Sequence, residues 1–196
     1  RKTLLWLYQV LPNIELIKYI YQLKEEDELE ETRIYHGMCP RTIKISQSKF
    51  EALLNKKNKI YLEKISKLNS SNIIDGVQDF IKNAKEQNHS VALYSSSKNA
   101  KFILNKLNLH GFFDAIVDGN SVKASKPDPE GFIIASKLTN SDPSNCVVFE
   151  DSEAGIIAGN EINMTTVGIG NSIKLNVASK VFKNFQEIKF KDFQIC

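Results

Sequence analysis

The chain of 196 residues has few cysteines, no long apolar run and no block of like charge. Its three cysteines lie far apart, which excludes a disulfide framework and a Cys-x-x-Cys metal site, so we expect a cytoplasmic protein. No apolar stretch reaches 18 residues, and no signal-peptide cleavage pattern follows apolar residues 4–10. The net charge of +3 is spread over interleaved lysines and glutamates. The sequence therefore predicts neither a membrane nor a nucleic-acid partner.

From about residue 73 the chain alternates between short apolar runs and helical periodicity. The predicted strands are 91–94, 115–117, 147–149 and 165–169, and the predicted helices are 76–86, 99–107, 129–137 and 153–161. This alternation favours an α/β fold with a parallel, doubly wound sheet. The earlier residues are interpreted as helical, with a capping box at Ser48. We predict a partial helical cap domain at 1–70 and an α/β core at 71–196.

The most informative motif is an apolar run that ends in two adjacent carboxylates, Glu150 and Asp151. An uninterrupted apolar run is typical of a buried parallel strand, and ligands of open α/β sheets bind outside the carboxyl ends of the strands. Two carboxylates placed there favour a hard cation such as Mg²⁺. A solvated acidic turn is the alternative interpretation.

Two further segments follow or lie between predicted strands. Ser95 to Asn99 offers hydroxyls and backbone N–H groups at a strand end, which is typical of a phosphate-binding loop, although serine-rich turns are common. Lys126 precedes Pro127 in a stiffened turn, where a lysine can stabilise charge on a transferring phosphoryl group. An ordinary surface lysine is the alternative.

The order of these segments resembles that of the haloacid dehalogenase-like superfamily. Within each segment the amino-acid sequence is similar to that of the β-phosphoglucomutases of this superfamily. The segments that carry the resemblance are Ser95-Ser96-Ser97-Lys98-Asn99, Ser125-Lys126-Pro127-Asp128-Pro129 and Phe149-Glu150-Asp151-Ser152. The resemblance implies a Rossmann-like core with a parallel sheet and a helical cap. It also implies phosphoryl transfer through an aspartyl-phosphate with Mg²⁺, interconverting β-glucose 1-phosphate and glucose 6-phosphate.

The resemblance assigns a role to each matching residue. Ser95 and the Ser96 backbone would hold the reactive phosphoryl group, Lys126 would bridge it to the nucleophile, and Asp151 would bind Mg²⁺ with Glu150 beside it. Ser97, Lys98 and Asn99 would help hold the second, non-transferring phosphate of the substrate. Lys57, on the cap, matches the lysine through which such mutases grip the sugar phosphate. A monomer is expected. A phosphatase acting on small phosphorylated metabolites and a non-catalytic binding protein are the alternatives.

One family motif is absent from the sequence. The family carries an apolar strand that ends in Asp-x-Asp-Gly, whose first Asp is the nucleophile, and no Asp-x-Asp occurs in this chain. We therefore expect the first core strand to be missing and this chain to be inactive on its own. A fragment is the favoured explanation, and a non-catalytic relative is the other. With its remaining ligands absent, Asp151 is expected to bind metal weakly or not at all.

Overall fold

The computed structural model describes residues 3–6, 31–33, 42–44 and 47–189. In chain order its strands are β1 (Thr3–Trp6), β2 (Glu31–Arg33), β3 (Thr42–Lys44), β4 (Ser90–Tyr94), β5 (Ala115–Val117), β6 (Cys146–Glu150), β7 (Thr165–Ile169) and β8 (Lys180–Phe182). Its α-helices are α1 (Gln47–Ser66), α2 (Val77–Glu86), α3 (Ala100–Lys106), α4 (Glu130–Leu138) and α5 (Glu153–Glu161).

The chain divides into two compact units. One comprises Arg1–Gln9 and Leu68–Cys196, and the other Val10–Lys67. The Val10–Lys67 unit contains helix α1 and an antiparallel pair of short strands, β2 and β3, in which Glu31 pairs with Lys44.

A parallel sheet with the strand order β5-β4-β1-β6-β7-β8 forms the larger unit. The four strands predicted from the sequence are present, and the helices between them confirm the α/β class. Strand β6 is buried at all five of its positions, because helices cover both faces of such a sheet. Its continuous apolar sequence is therefore explained by its central place.

The prediction that the first core strand is missing is wrong. Residues Thr3–Trp6 form β1, which lies between β4 and β6 and pairs with both in parallel. Leu4 is opposite Val91 on one side and Val147 on the other. Four residues carry too little periodicity to identify a strand, and the partners of β1 lie more than eighty residues away in the chain.

The predicted cap at 1–70 also needs correction, since β1 belongs to the larger unit and β2 and β3 are strands. Helix α1 begins at Gln47, so Ser48 lies within the helix instead of capping it. Three-residue strands leave no alternating pattern to detect. The division between the two units falls at Leu68.

Helix α2 shows how the core is closed. Its buried residues Val77, Phe80, Ile81 and Ala84 recur at spacings of three and four, which places them on one face. The Phe80 ring packs edge-to-face with the Phe149 ring of β6, with 5.0 Å between the centroids. Among the described helices, none combines the length and apolar character needed to cross a bilayer.

Candidate functional site

The central strands bring the predicted site residues to one edge of the sheet. Because β4 and β6 both pair with β1 in parallel, Trp6 is level with Leu93 in β4 and with Phe149 in β6. Parallel strands end at the same edge, so the segment after β4 and the segment after β6 lie at the same side of the sheet. These are the Ser95 loop and the Glu150-Asp151 pair.

Glu150 is fully buried and its carboxylate is held from two directions. Its Oε2 accepts a charge-assisted hydrogen bond from Lys126 Nζ at 3.3 Å, and its Oε1 accepts from Ser152 Oγ at 2.5 Å and from Ser152 N at 3.2 Å. Burial raises the pKa of Glu150 to about 7, and the Lys126 ammonium acts in the opposite direction. The carboxylate is thus a fixed partner for the lysine.

Space for this carboxylate depends on Gly155 in the first turn of α5. A Cβ atom at position 155 would lie 2.2 Å from Glu150 Cδ. Gly155 N also donates to Ser152 Oγ at 3.1 Å, the N-cap bond of α5. Helix α5 therefore approaches Glu150 more closely than any side chain at 155 would allow.

Lys126 occupies a buried place, although it comes from a turn. Its side chain is 8% exposed, and its Nζ lies 3.3 Å from Glu150 Oε2 and 5.0 Å from the centroid of the Tyr94 ring. Burial lowers the pKa of Lys126, whereas the Glu150 carboxylate raises it. The alternative of an ordinary surface lysine is excluded by this burial.

Hydrogen bonds within the loop after β4, and one from Gly119, hold this loop in place. Ser97 N donates to Ser95 Oγ at 3.2 Å, Asn99 N donates to Ser97 Oγ at 3.2 Å, and Gly119 N donates to Ser97 O at 3.3 Å. A Cβ atom at Gly119 would lie 2.4 Å from Ser96 O, so only glycine permits this approach. Within the described part of the chain, no hydrogen bond uses the backbone N–H of Ser96.

The structure brings some of the predicted site residues into contact and leaves the contacts of others undefined. Lys126 and Glu150 are in direct contact, and the Ser95 loop lies at the same sheet edge. Lys98 is exposed, whereas Ser97 and Asn99 are partly buried in the braced loop. The side chain of Lys57 lies outside the described residues. Its role, and the contacts assigned to the loop, stay predictions.

The donor set for a metal ion is small. Within the residues whose side chains are described, no group of three or more His, Cys, Asp or Glu side chains could hold an ion. Glu150 is engaged with Lys126 and Ser152, while Asp151 is exposed beside it. Mg²⁺ commonly takes one or two protein carboxylates together with waters and substrate phosphates. Asp151 fits that arrangement, and the prediction of Mg²⁺ at Glu150 and Asp151 stays a prediction.

The sequence interpretation missed four residues that shape the site: Tyr94, Gly119, Gly131 and Gly155. The three glycines permit close approaches to Ser96, Tyr94 and Glu150 respectively. Glycine inside a predicted helix, as at 131 and 155, is a signal of close approach that the sequence offers. Tyr94 ended an apolar strand and was therefore indistinguishable from an ordinary core residue.

Comparison with known proteins is consistent with this geometry. The family described as "Haloacid dehalogenase-like hydrolase" matches residues 11–169. A β-phosphoglucomutase of Bacillus subtilis is 31% identical over 166 residues, covering 85% of this chain and 72% of that protein. A "Phosphorylated carbohydrates phosphatase" of Thermotoga maritima is 31% identical over 129 residues, covering 63% of this chain and 59% of that protein.

A solved structure is also similar to this chain. The crystal structure of a β-phosphoglucomutase from Clostridium difficile has a TM-score of 0.71 and 36% identity, and the match covers 76% of this chain and 67% of that one. The chain is thus similar to proteins named as mutases and to proteins named as phosphatases of phosphorylated sugars.

Proposed function

Because the chain belongs to the haloacid dehalogenase-like hydrolase family, we propose that its site binds a phosphorylated sugar of the glucose 1-phosphate and glucose 6-phosphate class. For the intact protein the proposed activity is that of a β-phosphoglucomutase, with an aspartate as nucleophile that residues 1–196 do not supply. The similarity to the β-phosphoglucomutases of two organisms supports the mutase over other members of the family. A monomer is part of the proposal.

The observation that carries the proposal is the buried contact between Lys126 and Glu150, at the sheet edge where the Ser95 loop also begins. Glu150 holds the ammonium of Lys126, and the hydroxyl of Ser95 and the N–H of Ser96 are donors suited to phosphoryl oxygens. At about 4 Å and an effective dielectric constant of about 20, a lysine and one phosphoryl charge attract by about 4 kcal/mol. An interaction of this size is large enough to dominate the affinity for a phosphate monoester.

The central strand β1 is not followed by the aspartate that catalysis in this family requires. In the family the nucleophile follows an apolar strand, and β1 is the strand at the centre of this sheet. The residues after β1 in the chain are Leu7, Tyr8, Gln9 and Val10, and the first acidic residue is Glu15. We therefore propose that residues 1–196 bind the sugar phosphate without forming an aspartyl-phosphate.

The remaining ligands belong to the proposal as well. Asp151 would hold Mg²⁺, which supplies neutralising charge to the phosphoryl group when bound. The proposed contacts to the second phosphate come from Ser97, Lys98 and Asn99, and Lys57 is proposed to grip the sugar phosphate. Two phosphate positions are needed by a mutase that passes through a bisphosphate.

The test is calorimetric titration of the purified chain with glucose 6-phosphate, with and without MgCl₂. Replacing Lys126 by Met removes a buried charge-assisted contact, so we expect the affinity to fall by about 2–3 kcal/mol, or roughly 30- to 150-fold. Lys123→Met is the matched control, because Lys123 is an exposed lysine of the same turn region and should change the affinity less than about twofold. Equal losses in the two variants would show that Lys126 does not hold the phosphate.

Phosphatase activity on sugar phosphates is the second candidate, favoured by the similarity to the Thermotoga maritima phosphatase. A form of the protein with a restored nucleophile distinguishes the two. A mutase converts β-glucose 1-phosphate to glucose 6-phosphate and loses affinity for the sugar phosphate in Lys57→Ala. A phosphatase releases inorganic phosphate from several phosphomonoesters and is little affected by that substitution.

A further inference from the structure

Tyr94 is the last residue of β4 and stands directly before the Ser95 loop. It is fully buried. Its ring is approached by two groups, the Lys126 ammonium at 5.0 Å from the ring centroid and the Phe132 ring at 5.1 Å and 87°. Tyr94 therefore connects the aromatic core of the larger unit to the lysine at the site.

The space for this ring is provided by Gly131 in the first turn of α4. A Cβ atom at position 131 would lie 2.1 Å from Tyr94 Cζ and 2.4 Å from Cε1 and Cε2. The ring atoms of Tyr94 cannot move aside one by one, as the end of a flexible side chain can, because the ring is rigid and closely packed. Glycine at 131 and tyrosine at 94 thus form a matched pair.

The hydroxyl of Tyr94 does not explain why the residue is there. Among the described residues it has no hydrogen-bond partner, although it is buried. Burial raises the pKa of Tyr94, so the phenol is neutral at physiological pH. The contact between Tyr94 and Lys126 is made by the ring.

We propose that Tyr94 is a positioning residue whose ring holds the Lys126 ammonium at the edge of the sheet, ready for the phosphoryl group. The face of an aromatic ring attracts a cation, and the attraction strengthens when both groups are removed from water, as they are here. The Lys126 ammonium has two contacts, a hydrogen bond to the Glu150 carboxylate and a cation–π contact with the Tyr94 ring. These two contacts hold the ammonium in one position before a ligand binds. This inference rests on the proposed role of Lys126 in phosphate binding.

The experiment compares Tyr94→Phe, Tyr94→Leu and a matched control, Phe132→Leu, by calorimetric titration with glucose 6-phosphate. Phe132 is equally buried and contacts the same ring, but it tests core packing. We expect Tyr94→Leu to weaken binding by about tenfold, because the ring contact with the cation is lost. Tyr94→Phe and Phe132→Leu should stay within about twofold of the wild type, since both keep a ring at position 94.

A double-mutant cycle with Lys126→Met separates positioning from general destabilisation. If Tyr94 acts through Lys126, Tyr94→Leu should weaken binding by less than about twofold once Lys126 is replaced. An undiminished effect in that background, or an equal loss in Tyr94→Phe, would overturn the inference.

A second readout does not depend on the ligand. The ring should shift the ε-CH₂ proton resonances of Lys126 upfield in the wild type and in Tyr94→Phe, and the shift should vanish in Tyr94→Leu. If glucose 6-phosphate does not bind the wild type, the proposed function fails while this NMR shift still decides on the ring contact. Absence of the shift in the wild type would overturn the positioning role, whatever the outcome of the titration.

Discussion

Gly155→Ala should destabilise the protein, although alanine is the better helix former. Gly155 lies in α5, where the exchange of glycine for alanine usually stabilises a helix by about 1 kcal/mol. The new Cβ would lie 2.2 Å from Glu150 Cδ, 2.5 Å from Cγ and 2.5 Å from Oε2. The carboxylate is fully buried and bound to Lys126 and Ser152, so it has little room to move.

The magnitude follows from the two opposing effects. Overpacking of a filled interior costs about 1–3 kcal/mol, and loss of one side of a buried ion pair costs about 3–5 kcal/mol. Partial displacement of Glu150 should therefore cost about 3–4 kcal/mol, and the helix propensity of alanine offsets about 1 kcal/mol of that. We expect a net loss of about 2–3 kcal/mol, or a fall in Tm of roughly 4–12 °C for a chain of this size.

Urea denaturation followed by circular dichroism, together with thermal unfolding, measures this loss. Gly111→Ala is the matched control, since no atom lies within 4 Å of the Cβ that it would add. The control should stay within about 0.5 kcal/mol of the wild type. A Gly155→Ala variant as stable as the wild type would refute the argument that the glycine exists to admit the Glu150 carboxylate.

Three further predictions concern other parts of the chain. With the other two cysteines replaced by serine, Cys146 should react with a thiol reagent at pH 8 only as fast as the protein unfolds, because burial raises its pKa to about 12. Glu130→Gln should flatten the fall of Tm between pH 6 and pH 3, because the N–H groups of Ala124 and Lys123 lower the pKa of Glu130. Its contribution is thus present above the unfolded pKa of about 4.5 and lost as the pH falls through the folded value. Leu7→Asp combined with Gln9→Asp should give measurable conversion of β-glucose 1-phosphate to glucose 6-phosphate with MgCl₂, whereas continued inactivity would argue that β1 is not the counterpart of the family's nucleophile strand.

The α/β core was predictable from the sequence because its strands are apolar runs between amphipathic helices. Strand β6 is buried at every position, so its continuous apolar sequence identifies it as a buried strand even when its neighbours in the sheet are unknown. The carboxylates at its end were placed at the sheet edge by the same reasoning. Strand β1 was missed because a four-residue strand is stabilised by partners distant in the chain and not by any local pattern.

The sequence by itself determined the class of fold, the places along the chain of the strand before Ser95 and the strand that ends at Glu150, and the resemblance on which the phosphoryl chemistry rests. Only the tertiary structure decided that Thr3–Trp6 completes the sheet, that Lys126 is buried against Glu150, and that Tyr94 contacts the same ammonium. The physical reason is the range of the interactions. Periodicity and turn chemistry act over a few residues, whereas strand pairing, burial and cation–π contacts depend on which distant segments the fold brings together.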